Sequence, residues 1–82
     1  MSQVITLFTK PNCKLCEDAK AMLETYQLMY NFEIVEQNIE DKDEWLEKYF
    51  LTIPVVKTKS YELDAHYLNM DTLDQFLQKH LE

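Results

Sequence analysis

Thr9-Lys10-Pro11-Asn12-Cys13-Lys14-Leu15-Cys16 is the stretch that decides the fold. It joins an apolar, β-branched run, Val4-Ile5-Thr6-Leu7-Phe8-Thr9, to an amphipathic helical pattern that begins near Lys14. The chain's two cysteines stand three apart at that junction. Residues three apart on a helix share a face, so the two sulfurs can close a small disulfide ring. The location favours a reactive thiol. A helix's first turn has unpaired N–H groups and a partial positive charge, which stabilise an anion, and a thiolate there has its pKa lowered from roughly 8.5 to about 3.5–7.5. Lys10 and Lys14 add to this effect, whereas Glu17 and Asp18 oppose it. Cys13, nearest the helix tip, is the expected nucleophile; Cys16, one turn deeper, is the expected resolving thiol. The competing reading, two buried cysteines acting as small hydrophobes, is the weaker one because strand, turn, CxxC and helix coincide.

Outward from this junction, residues 3–9 read as a buried strand, apolar and too short for a helix. Pro11 pushes Lys10 into an extended conformation and ends it, and Asn12 is placed to cap the following helix. Leu15, Ala19, Met22, Leu23, Tyr26 and Tyr30 recur at the spacing of one helical face, which predicts a helix over 14–29. Asn31 is the expected left-handed C-cap in a chain with no glycine. A second strand is predicted over 32–39. A short helix over 42–50 follows, capped by Asp41 or Asp43, with Trp45, Leu46 and Tyr49 on its buried face. Thr52-Ile53-Pro54-Val55-Val56 is the second informative stretch: a proline is tolerated only at the start or edge of such a strand. The strand predicted next, over 61–65, makes an antiparallel hairpin with it. A last helix starts at Met70 or Asp71, with Asn69 as its cap, and buries Leu73, Phe76, Leu77 and either His80 or Leu81. The order β-α-β-α-β-β-α predicts an α/β fold with a four-stranded mixed sheet and three helices on both its sides. Its first two strands should be parallel, being joined by a crossover helix.

Eighty-two residues make one small domain, 1–82. Nothing in it resembles a membrane span, and Met1-Ser2-Gln3 lacks the basic start of a signal peptide. The expectation is a cytoplasmic protein, where CxxC is more often catalytic or metal-binding than a structural staple. A net charge of −7 argues against a nucleic-acid partner, which needs a basic face. The complete lack of arginine rules out a bidentate guanidinium clamp. Lys10, Lys14, Lys57 and Lys59 lie near the two informative stretches, while the acids crowding 33–47 read as a solvated face. His66 and His80 read as surface or packing residues. Leu81-Glu82 look like a vector-derived junction ahead of a tag.

This element order, with CxxC closing the first strand and Ile53-Pro54 opening the third, resembles the thioredoxin superfamily. Within it the chain resembles a glutaredoxin-like protein over roughly residues 3–80. Lys10 stands three before Cys13, as a lysine does in glutaredoxins, and Thr52-Ile53-Pro54 stands where they carry Thr-Val-Pro. The tryptophan-glycine-proline signature of thioredoxin is absent. The resemblance implies a thiol–disulfide oxidoreductase acting on protein or glutathione mixed disulfides, with glutathione as co-substrate and no tightly bound cofactor or metal. It implies a cis Pro54 packed beside the disulfide, so that the Ile53 N–H and C=O can pair with an extended substrate. The implied substrate-binding set is Lys10, Asn12, Ile53, Pro54 and Asp71. In it Lys10 meets a glutathione carboxylate and Asp71 the glutathione amino group. Leu15 stands where glutaredoxins place the tyrosine of CPYC, and His66-Tyr67-Leu68-Asn69 where they place a glycine pair. The choice between glutathione and protein disulfides therefore stays open. The expected partner is one of these two, acting on a monomer without nucleic acid or membrane. Two other readings remain: a dimer sharing an iron–sulfur cluster or metal through its cysteines, and a binding module of this fold that does no chemistry.

Overall fold

A computed structural model describes residues 3–81. Met1 and Ser2, read above for a signal start, and Glu82, read as part of a junction, lie outside the described residues. Four strands and three α-helices follow in the predicted order: β1 (Gln3–Thr9), α1 (Lys14–Tyr26), β2 (Phe32–Asn38), α2 (Asp43–Tyr49), β3 (Val55–Lys57), β4 (Glu62–Leu63) and α3 (Met70–His80). A single 3₁₀ turn, Ile39–Asp41, links β2 to α2. The sheet runs β2-β1-β3-β4. β1 is parallel to β2 and antiparallel to β3, and β3 is antiparallel to β4. Charged Glu33 and Glu36 sit on the edge strand β2, where charge discourages pairing with another chain.

The alternation of β1 divides the core. Ile5 and Leu7 face a cluster built from Ala19, Leu23 and Tyr26 of α1 and Leu73, Phe76 and Leu77 of α3. Phe8 belongs to a second cluster with Ile39, Tyr49 and Val55. Its ring stacks on Tyr49 at 4.4 Å and meets Trp45 edge-on at 5.4 Å. Two hydroxyls tie α1 and its exit to α3: Tyr26 donates to the Met70 carbonyl at 2.9 Å and Tyr30 to Asp74 at 2.6 Å.

Several local expectations are corrected. α1 ends at Tyr26, short of the prediction; Leu28 and Met29, off the apolar stripe, are exposed, while Tyr30 still packs against the core. The chain then tightens through i→i−3 bonds, with Leu28 N–H to the Thr25 carbonyl and Met29 N–H to that of Tyr26. Asn31 is not left-handed, since Asn12 is the one non-glycine residue at positive φ among those described. Neither Asp41 nor Asp43 caps α2. Lys42 holds that position without a side-chain hydrogen bond, and Leu46 is exposed while Tyr49 alone is fully buried. β4 is shorter than predicted. The Thr58–Tyr61 turn closes on the Thr58 N–H to Tyr61 carbonyl bond at 2.9 Å. Asn69 does cap α3, in a reciprocal box with Thr72.

Candidate active site

β1 delivers the chain to the site at its C-terminal end. Thr9 is buried, its hydroxyl donating toward Glu36 and the Gln37 carbonyl. Lys10, Pro11 and Asn12 then turn in solvent. The turn closes through Asn12 at φ 59°, a conformation that asparagine tolerates better than other residues carrying a β-carbon. Asn12 is therefore not the helix cap. Cys13 is: its backbone is extended, at φ −110° and ψ 108°, and its sulfur accepts the Cys16 N–H at 3.2 Å. A residue at this position normally uses an oxygen for that bond; here the reactive sulfur does so.

Cys13 and Cys16 are joined as a disulfide across a Cα–Cα distance of 5.2 Å, within the ordinary range. Cys16 is 3% exposed, whereas Cys13 is only half-buried. The more accessible cysteine is thus the one at the helix tip. Around it the charges are less one-sided than the sequence implied. Lys14 pairs with Asp18 at 3.3 Å on the surface, which leaves Lys10 as the unpaired cation of the segment among the described residues.

The antiparallel register of β1 and β3 matches Phe8 with Val55, the residue that follows Pro54. The Ile53–Pro54 peptide is cis and Pro54 is buried. Leu15, between the cysteines, and Pro54 line the same groove, of about 350 Å³, whose other apolar walls are Met22, Ala65, Leu68 and Met70. Ile53 behaves differently from expectation. Its side chain packs against the Phe8 cluster and its N–H is committed to the Tyr49 carbonyl at 3.1 Å, so that donor is not free for a substrate strand.

Of the five residues expected to bind substrate, Pro54 is thus in the groove, while Lys10, Asn12, Ile53 and Asp71 stand outside its lining. Asp71 is exposed on the first turn of α3; its neighbours Asn69 and Met70 reach the groove instead. Sequence reasoning missed the loop residues Ala65 and Leu68; the one signal was Leu68 and Met70, apolar on either side of the Asn69 cap. Both histidines lie away from the cysteines: His66 is exposed beside Tyr67, and His80 stacks on Tyr61 at 3.9 Å. A larger hollow of about 730 Å³, walled by Thr6, Phe8, Trp45, Lys57 and Tyr61, does not have Pro54 in its lining, and neither cysteine lines either cavity. No group of three or more His, Cys, Asp or Glu able to hold a metal is found among the described residues. Nor is any helix among them long and apolar enough to cross a membrane.

A family model for the glutaredoxin-like domain (DUF836) matches residues 4–78. The chain belongs to that glutaredoxin-like family. Solved structures agree on the fold. Protein Ne2328 from Nitrosomonas europaea superposes at a TM-score of 0.78 with 23% identity, over 93% of this chain and 92% of that one. A malarial protein superposes at 0.69 with 17% identity, over 100% of both chains. The glutaredoxin-like chain therefore has a thioredoxin-like fold, with its cysteine pair at the start of the first helix.

Proposed function

We propose that this glutaredoxin-like protein is a thiol–disulfide oxidoreductase that reduces protein or glutathione mixed disulfides. The observation that carries the reading is the unequal burial of two bonded cysteines at the tip of α1, with the less buried one holding the capping position. In the reduced protein the Cys16 N–H would donate to a Cys13 thiolate, and a hydrogen bond to an anion is roughly twice as strong as one to a neutral acceptor. The helix end adds its partial positive charge.

The reaction then balances on the two sulfurs alone. Cys13 thiolate attacks one sulfur of the substrate disulfide, forming a mixed disulfide and expelling the other as thiolate. Cys16, deprotonated, attacks the Cys13 sulfur and releases the second substrate thiolate. The substrate gains two electrons and the protein is left with the Cys13–Cys16 bond, the state described here. Two glutathione thiols, or a dithiol reductase, would restore it.

Paired assays on a glutathione mixed disulfide and on a protein disulfide test the assignment. Cys13→Ser is expected to lose both activities. Cys16→Ser is expected to keep the glutathione reaction, in which a second glutathione resolves the intermediate, and to lose the protein reaction. Rapid alkylation of reduced Cys13 at neutral pH would accompany both results. Full activity in Cys13→Ser, or an inert Cys13 thiol, would overturn the proposal, the latter in favour of a module that only binds.

A further inference from the structure

The groove beside the disulfide has a chemical character of its own. Leu15, Met22, Pro54, Ala65, Leu68 and Met70 give it apolar walls, and its one charged lining residue is a carboxylate, Asp18. Apolar surface is left uncovered there, Leu15 being 63% and Met70 42% exposed. The walls come from the helix that carries both cysteines, with Leu15 between them in sequence, and from Pro54 just ahead of β3; the cysteines themselves are not in the lining.

Resting on the oxidoreductase reading, we propose that this groove receives an apolar side chain adjoining the reacting cysteine of a polypeptide. The preferred substrate is then a protein disulfide flanked by an aliphatic or aromatic residue, and acidic flanks are rejected. Charge selects between this occupant and glutathione. Glutathione brings two carboxylates to the site, and the groove offers them no cation. Lys14 is spent on Asp18, Lys10 stands outside the lining, and the chain has no arginine to supply a two-pronged carboxylate contact. Lys14 and Asp18 offset each other, and exposed Asp71 on the adjoining turn and a net charge of −7 oppose an anion. A neutral or basic segment meets no such opposition. Unbranched methionines at two wall positions adapt to side chains of different shape.

The test uses short cysteine peptides disulfide-linked to 2-nitro-5-thiobenzoate, with leucine, serine, lysine or glutamate beside the cysteine, and the glutathione conjugate for comparison. The reduced wild-type protein is expected to show kcat/KM about tenfold higher for the leucine peptide than for the serine one, the discrimination that burying one such side chain supports. Glutamate and the glutathione conjugate should be slowest. Leu15→Ser and Met70→Ser, at separate lining positions on α1 and α3, should each bring the leucine-to-serine ratio toward one. Leu28→Ser, remote and 88% exposed, should leave that ratio intact. Equal rates for all peptides, or a leucine preference that survives both wall variants, would overturn the groove's role while leaving the redox reading standing. Failure to exchange with any of the conjugates would instead overturn the redox reading and this one with it.

Discussion

Replacing Asn12 tests whether the turn that aims Cys13 is held as described. The residue sits at φ 59°, is exposed and makes no side-chain hydrogen bond among the described residues, so its substitution changes backbone preference and little else. For an ordinary L-residue the left-handed region costs roughly 1–2 kcal/mol, and asparagine is among the few that bear it routinely. Asn12→Ala is therefore expected to lose about 1 kcal/mol and Asn12→Val, branched at the β-carbon, about 2 kcal/mol. In a chain of 82 residues each kcal/mol moves the melting temperature by about 4–8 °C. The alanine variant should thus melt about 4–8 °C lower and the valine variant about 8–16 °C lower. Asn12→Gly, free of the steric penalty but more flexible when unfolded, should melt within a few degrees of the parent. Thermal melts followed by far-ultraviolet circular dichroism on the oxidised proteins read out the series. If alanine and valine both melt with the parent, the turn does not pass through the left-handed region and the account of how Cys13 becomes the cap is wrong.

Three further outcomes follow from other parts of the fold. Leu23→Ala removes a fully buried side chain between the sheet and two helices, and should cost about 2–5 kcal/mol in chemical denaturation; a loss well under 1 kcal/mol would mean that the α1 face is not core. Asn69→Ala breaks the reciprocal cap of α3 and should cost about 1 kcal/mol, with Asn69→Asp retaining most of it. Burial and the bond to Glu62 raise the Tyr49 pKa, burial and nearby Asp74 and Asp71 raise that of Tyr26, and the hydrogen bond to Asp74 raises that of Tyr30. A phenol that holds its proton more tightly when folded stabilises fully below its unfolded pKa near 10 and loses that contribution as pH rises through the folded value. Stability should therefore fall as pH climbs above 10, and more gently in Tyr49→Phe. An unchanged alkaline slope in that variant would remove Tyr49 from the account.

The parts of the molecule that were legible in the sequence are those where one pattern had one physical meaning. β1 alternates between two cores, α3 carries its apolar stripe between a cap and its end, and CxxC with Ile53-Pro54 fixes which strand ends meet. The parts that misled are those where one residue type serves two purposes. Asparagine is at home both as an N-cap and in the left-handed region. Asn12 was read as the first and is the second; Asn31 was read as left-handed and is not. Nothing in the sequence signals that a cysteine sulfur would accept the capping bond. The α2 prediction erred on the buried face: in a helix of seven residues, Trp45 and Tyr49, four apart, already cover Phe8, and Leu46 is exposed. The groove was illegible for a different reason. Its walls come from α1, Pro54 and an irregular loop, and no periodicity links residues that only tertiary structure brings together.

The absence of glycine from this chain bears on both the turn and the groove. Where glutaredoxins resembled by this sequence place glycines before the last helix, backbone can approach a ligand closely because no β-carbon intervenes. Here the same loop is held by side chains and by one long-range bond. Asp64 accepts the His66 N–H at 2.9 Å, and the Ala65 N–H donates to the Thr52 carbonyl at 3.1 Å, pinning the loop two residues from Pro54. Ala65 and Leu68 line the groove, and Leu68 stands within the 66–69 stretch where glycines would offer bare backbone. Shape and polarity change together: a backbone wall supplies hydrogen bonds to a small polar ligand, whereas a wall of methyl and methylene groups rewards an apolar one. Placing glycine at 65 and 68 together should thus weaken the leucine preference even with both cysteines and Pro54 untouched. If selectivity were set by the cysteine segment alone, the same double variant would keep it.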